Sequence, residues 1–227
     1  MKQKKVNVEE YRKLAAECAA KNVTLVAVSK TKPIEDIHAL YELRHRDFGE
    51  NYVQELVEKQ QQLPADIRWH FIGHLQTNKV KQIVGFVHLI HAVDTFKLLQ
   101  EINKQAEKIK RNIDCLLQVH IAQEETKFGL NEQELNHLID QISNSQLDNV
   151  AVCGLMGMAS FTDDPDKVRK EFRFLKSLQD KLANVKHQTS NFKLQILSMG
   201  MTADYKIAIE EGSNMIRVGS LIFGERT

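Results

Sequence analysis

Short apolar runs rich in β-branched residues alternate with polar stretches of helical period along the whole chain, the pattern of a parallel sheet covered by helices. Residues 8–21 place Tyr11, Leu14, Ala15 and Cys18 at helical spacing, and a first strand over 23–28 follows at once. The pattern then predicts a helix over 34–43, a short strand near Asp47-Phe48, and a helix over 52–62 that stops before Pro64. A third strand over 68–72, a loop and helix over 73–84, a fourth strand over 87–92 and a long helix over 95–111 come next. Strands five and six cover 115–121 and 150–156, separated by a loop through Gly129 and a helix over 131–143. A helix over 165–182, a strand over 194–197, a helix over 203–211, an eighth strand over 215–218 and a turn at 221–223 complete the chain. Eight strand–helix repeats after an extra N-terminal helix predict a TIM-type (β/α)8 barrel occupying residues 1–227 as a single domain. An open doubly wound sheet is the competing architecture, but no Gly-x-Gly-x-x-Gly follows a strand.

Composition narrows the partners more than the fold. With 227 residues and 42% hydrophobic content the chain can bury one large core. Lysine and arginine total 31 against 30 acids, so the net field gives no footprint for nucleic acid or an anionic membrane. Cys18, Cys115 and Cys153 are odd in number and far apart, as expected of free thiols in a reducing cytoplasm. Lys2, Lys4, Lys5, Glu9, Glu10 and Arg12 leave no apolar leader at the N-terminus, and no run reaches membrane-spanning length.

In a barrel of this kind the working groups sit where strands end. The strand ends deliver Lys30, Asn51, His74, His120, Met156, the stretch from Ser198 to Gly200, and the stretch from Arg217 to Ser220. Lys30 is the most informative, because a long amine at the end of a buried strand is costly unless it serves a site or a salt bridge; Glu50 is the obvious partner for the second case. A lysine that forms a Schiff base needs a lowered pKa, which burial and nearby cations such as Lys32 or Arg217 favour. Gly200 and Gly219, with Ser198 and Ser220 beside them, suit close approach of backbone amides to a phosphate, in the usual phosphate-binding loops of such barrels; tight turns alone are the plainer explanation. His70 and His74 fall in a strand and after Gly73, His88 and His91 lack zinc-ligand spacing, and no metal site is assigned. Glu124-Glu125 and Asp163-Asp164 read as solvated or capping loop residues, not as a hydrolytic pair.

Seven motifs then carry a resemblance across nearly the whole chain: AVSKTKP around Lys30, FGENYVQE around Asn51, WHFIGHLQTNK from Trp69, ETKFGL from Glu125, CGLM from Cys153, LSMGMTADY from Leu197 and IRVGSLIFGER from Ile216. Together they resemble the pyridoxal 5'-phosphate homeostasis proteins, stand-alone relatives of the alanine racemase N-terminal barrel (fold type III). The resemblance implies pyridoxal 5'-phosphate held as a Schiff base on Lys30. It implies phosphate contacts from Ser198 and the amides around Gly200, Met201, Gly219 and Ser220, with Asn51 near the cofactor ring. Arg217 would face the pyridine nitrogen, and a permanent cation there makes the ring a poorer electron sink than a carboxylate partner would. His120, Thr202 and Gly157-Met158-Ala159-Ser160 depart from the family's usual asparagine, serine and proline-containing turn, and no ligand role is carried onto His120 or Met158.

Three functions remain open on the sequence. A cofactor carrier would buffer or deliver pyridoxal phosphate to apo-enzymes; only three residues follow Gly224, so the racemase's second domain and its tyrosine base are expected to be absent. A fold-type III racemase or related enzyme would need another base, such as Tyr52 or His74. A cofactor-free aldolase would use Lys30 directly on a sugar phosphate. The carrier, cytoplasmic and monomeric, is the reading the resemblance favours.

Overall fold

The computed structural model describes residues 6–124, 128–184 and 191–225. Lys2, Lys4, Lys5, Glu125, Thr126, Lys127, Arg226 and Thr227 lie outside the described residues. The elements run α1 (Val8–Ala20), β1 (Thr24–Val28), α2 (Ile34–Glu42), β2 (Asp47–Glu50), α3 (Val53–Gln62) and β3 (Arg68–Phe71). A 3₁₀ turn at Thr77–Lys79 leads into α4 (Val80–Ile83), followed by β4 (Leu89–Val93), α5 (Phe96–Lys108), β5 (Ile113–Val119) and α6 (Glu132–Ser143). Then come β6 (Val150–Gly157), α7 (Pro165–Ala183), β7 (Phe192–Ser198), α8 (Tyr205–Glu210), β8 (Met215–Val218) and α9 (Ser220–Phe223). All eight strands pair in parallel in sequence order, and β8 closes on β1 through Thr24↔Met215 to Ala27↔Val218.

The helices start where the sequence supplies caps. Asn7, Thr95 and Asp164 accept backbone N–H groups of α1, α5 and α7, and Asn131 with Glu134 forms a reciprocal capping box on α6. Helix faces carrying Leu98, Leu99, Ile102 and Ala106, or Leu135, Leu138, Ile139 and Ile142, pack on the outer side of the strands. Strand parity separates the two sides: Ile216 and Val218 of β8 join that outer core, whereas Met215 joins the interior cluster of Val26, Leu89, Ala92, Leu116, Ala151, Cys153 and Met156.

Several predicted boundaries move, the fifth strand to Ile113–Val119 and the seventh to Phe192–Ser198 among them, and three of the shifts bear on the site. The second strand extends through Glu50, because Asp47 and Glu50 are buried with partners and do not mark a loop. The sixth continues to Gly157, which keeps Met156 inside the barrel and brings Met158 to the rim instead. The last turn is helical from Ser220.

The β6–β7 contact depends on Gly154, at φ +157° and a shift in strand register, where an added Cβ would lie 1.7 Å from the Ile196 carbonyl oxygen. A Gly154→Ala substitution is expected to cost at least about 2 kcal/mol and lower the melting temperature by about 4–8 °C in a thermal unfolding scan.

Candidate functional site

A cavity of about 990 Å³ opens at the carboxyl ends of the strands. Lys30, Asn51, Met201, Arg217, Gly219 and Ser220 all line it, so six of the eight predicted site residues meet there. Ser198 and Gly200 do not line it. Ser198 is wholly buried inside the barrel, where its hydroxyl contacts Arg217 and His91. Gly200 shapes the loop: at φ +96° it packs against Ala208, where an added Cβ would come within 2.6 Å.

Lys30 sits in a loop clamped on both sides. Below it, Ser29 Oγ donates to Glu50 Oε1 at 2.6 Å; beyond it, the Thr31 amide, at φ +64°, donates to Glu55 Oε1 at 2.5 Å. Lys59 joins the two carboxylates, donating to Glu50 and Glu55 at 2.8 and 2.7 Å and to the Ser29 carbonyl at 2.8 Å. One ammonium therefore spends its three donors on the backbone and carboxylates that flank Lys30. Burial pushes the Glu50 carboxyl above its ordinary value, opposed by Lys59 and Ser29. Ser29 and Lys59 thus both bond Glu50, and this carboxylate anchors the loop from beneath. Lys32, the other candidate cation, turns to the carbonyls of Phe223, Gly224 and Glu225 at 3.1, 3.2 and 3.1 Å and ties the end of α9 to the same loop.

Arg217 comes up from β8 as a buried guanidinium. Its hydrogen bonds among the described residues go to neutral acceptors: Nη1 donates to Ser198 Oγ at 2.6 Å and Nη2 to the Gly157 carbonyl at 3.0 Å. Burial lowers its pKa to about 10, partly opposed by the charge of Asp204, so it stays cationic at neutral pH. Asn51 Oδ1 is buried on the same cavity without a hydrogen-bond partner. A buried cation with donors to spare and an unsatisfied amide oxygen are what a polar ligand at this mouth would complete.

Across the cavity, Ser220 Oγ donates to Thr202 Oγ1 at 3.2 Å. These two hydroxyls line the mouth, and Thr202 is the site residue the sequence reading passed over as a mere departure from serine. Its signal was available: a hydroxyl in the glycine loop after β7 is what an anion cradle needs, whichever of the two residues supplies it. The Met201 amide donates to Asp204 Oδ1 at 2.6 Å, so it is engaged inside its own loop.

The remaining candidates fall elsewhere. His74 pairs with Asp94 at 3.7 Å and stacks on Phe128, and His120 bonds the Glu124 carbonyl at 2.9 Å. Neither these nor Tyr52 lines the mouth cavity. Asp164 caps α7, and Glu124 accepts the Phe161 amide at 2.8 Å. At the opposite end of the barrel the possible ligand atoms of Asp47, His70 and His88 lie within 4.8 Å of one another, but both Asp47 oxygens accept from Arg68, which balances the charge without an ion. No helix among the described residues is long and apolar enough to cross a membrane.

The chain matches the family model for the alanine racemase N-terminal domain over residues 5–227. It is 43% identical over 203 residues to the pyridoxal phosphate homeostasis protein of Aquifex aeolicus, covering 89% of this chain and 86% of that protein. Identity to the human protein of the same name is 38% over 218 residues, covering 89% and 76%. Among solved structures, PipY of Synechococcus elongatus with PLP bound is 33% identical with a TM-score of 0.83, covering 95% of this chain and 100% of that one. An alanine racemase of Clostridium difficile, 16% identical with a TM-score of 0.67 over 98% of this chain and 57% of that one, shares the fold.

Because Lys59 neutralises buried Glu50, replacing it with an isosteric apolar residue strands a charge. The Lys59→Met protein is expected to lose about 3 kcal/mol, or roughly 6–12 °C in melting temperature, with partial recovery in Lys59→Met/Glu50→Gln.

Proposed function

The chain belongs to the pyridoxal phosphate homeostasis proteins, within the alanine racemase N-terminal domain family, and from that premise we propose that it holds pyridoxal 5'-phosphate on Lys30 as an intracellular cofactor carrier. The observation that carries this reading is the convergence of the half-buried Lys30 amine, the buried Arg217 cation and the Thr202–Ser220 hydroxyl pair on one cavity. When bound, the cofactor supplies an aldehyde that the lysine amine takes up with loss of water.

Each residue has a separable task. Lys30 provides the covalent anchor, on a loop that Glu50, Glu55 and Lys59 keep in place. Thr202 and Ser220 offer hydroxyls to the phosphate, with the backbone at Gly219 pressed so close to Val28 that a Cβ would meet its carbonyl oxygen at 3.1 Å. Arg217, cationic at neutral pH, lines the cavity and would meet the ring nitrogen, where a cation would keep that nitrogen unprotonated and weaken the electron withdrawal that racemisation or decarboxylation requires. Asn51 lines the same cavity with an unsatisfied amide oxygen that would lie near the ring. Ser198 acts on the site through Arg217 and not on the phosphate directly.

The same geometry favours storage over turnover. Racemisation needs an acid or base on each face of the substrate carbon, and neither Tyr52 nor His74 lines the cavity. Phe161 and Met201 line the mouth and stand exposed, 93% and 37% accessible, where an apo-enzyme could dock to receive the cofactor. We read the protein as a one-domain monomer of the cytoplasm, in keeping with three free, buried cysteines.

Intact mass after borohydride reduction should show one added cofactor on the wild-type chain and none on Lys30→Ala. Measurable racemisation of amino acids by the loaded protein would instead establish an enzyme. Thr202→Val, which removes a hydroxyl at equal volume, should weaken pyridoxal phosphate binding about tenfold in a fluorescence titration.

A further inference from the structure

Barrel interiors of this kind are ordinarily filled by layers of apolar side chains. Beneath Arg217 a file of polar groups takes their place. Ser198 Oγ accepts from Arg217 Nη1 at 2.6 Å and lies 3.3 Å from His91 Nδ1. His91 Nε2 is 2.9 Å from His70 Nδ1, and His70 Nε2 is 3.1 Å from Asp47 Oδ1. Arg68 then donates to both Asp47 oxygens. The file crosses from β8 through β7, β4 and β3 to β2, and so joins the mouth of the barrel to its foot.

Counting protons gives the file a direction. An arginine only donates, a carboxylate only accepts, and a neutral imidazole does one of each. Burial, reinforced by the charge of Arg217, holds His91 well below its ordinary pKa and therefore neutral. Burial works to raise the Asp47 carboxyl, but hydrogen bonds from His70 and Arg68 outweigh it and keep the group ionised. Two neutral imidazoles can then be threaded in one sense: Ser198 O–H to His91 Nδ1, His91 Nε2–H to His70 Nδ1, and His70 Nε2–H to Asp47. The reverse sense would require a second proton on buried His70, although Arg68 already balances Asp47.

We infer that His91 and His70 are positioning residues for the mouth: they draw the Ser198 hydroxyl proton downward, present its oxygen to Arg217 as an acceptor, and so fix the guanidinium that meets the ligand. The consequence for the cofactor rests on the function proposed above, whereas the proton order does not. A Ser198 hydroxyl committed to His91 cannot donate to a phosphate, which assigns that task to Thr202 and Ser220. Asp47 and Arg68 anchor the far end of the file and set its sense.

Long-range ¹H–¹⁵N correlation spectra of the histidine side chains, recorded on protein free of cofactor, should show His70 and His91 both as Nε2–H tautomers. An Nδ1–H tautomer at His91 or an imidazolium at His70 at pH 7 overturns the inference, whatever the protein does with cofactor. Replacing His91 by leucine should then weaken pyridoxal phosphate binding about tenfold and shift the visible absorbance band of the bound cofactor. Leu116→Val, in the same barrel interior but outside the file, should lower thermal stability and leave that band in place. A folded His91→Leu protein with an unmoved band and affinity within about twofold of wild type overturns the positioning role. If that variant fails to fold, the tautomer measurement still decides. A wild-type chain that takes up no cofactor sinks the proposed function and leaves the proton order standing.

Discussion

A guanidinium buried in the barrel, whose hydrogen bonds among the described residues all go to neutral acceptors, is the constraint on which the rest of the site depends. Taking a charge out of water costs several kcal/mol even after relaxation, and an arginine cannot escape by losing its proton at neutral pH. Arg217 meets that cost with neutral acceptors, Ser198 Oγ and the Gly157 carbonyl, and with a mouth that admits a ligand. Had the interior placed an acid there, the charge would be satisfied internally and fewer guanidinium donors would be left for a ligand. The polar file through His91 and His70 follows from the same need, since a hydroxyl that must accept from Arg217 needs somewhere to send its own proton.

The lysine is managed by the opposite device. Where Arg217 is hydrogen-bonded to neutral acceptors, the loop around Lys30 is fixed by an ion cluster in which Lys59 satisfies Glu50, Glu55 and the Ser29 carbonyl together. Such a cluster gains little net stability over apolar packing, but it holds geometry, because removing any member leaves a buried charge exposed to no partner. The result is an amine on an anchored loop that lines one cavity with a cation and two hydroxyls.

Much of this was legible in the sequence, for reasons that can be located. Apolar runs of four to seven residues alternating with helical stretches recovered seven of the eight strands, the second being read from Asp47-Phe48 alone, and Lys30 and Gly219 announced themselves by following such runs, Arg217 by lying within the last. What stayed hidden depends on register. The pairing of His70 with His91 and of Ser198 with Arg217 joins residues on different strands, and only the closed barrel shows that all four face inward. Glu50 looked like a loop residue because its partner Lys59 lies 9 positions away in sequence, on the next helix. The shift of register at Gly154 exchanged Met156 for Met158 at the rim, and a bulge of that sort leaves only a glycine as its trace.

A crystal structure of the protein with pyridoxal 5'-phosphate bears on all of these points at once. Electron density should run unbroken from Lys30 Nζ into the cofactor, with the phosphate against Thr202 and Ser220 and the ring nitrogen against Arg217. Cofactor bound elsewhere on the surface, or a Lys30 side chain separate from it while the Thr202–Ser220 loops hold nothing, would contradict the assignment of this barrel mouth.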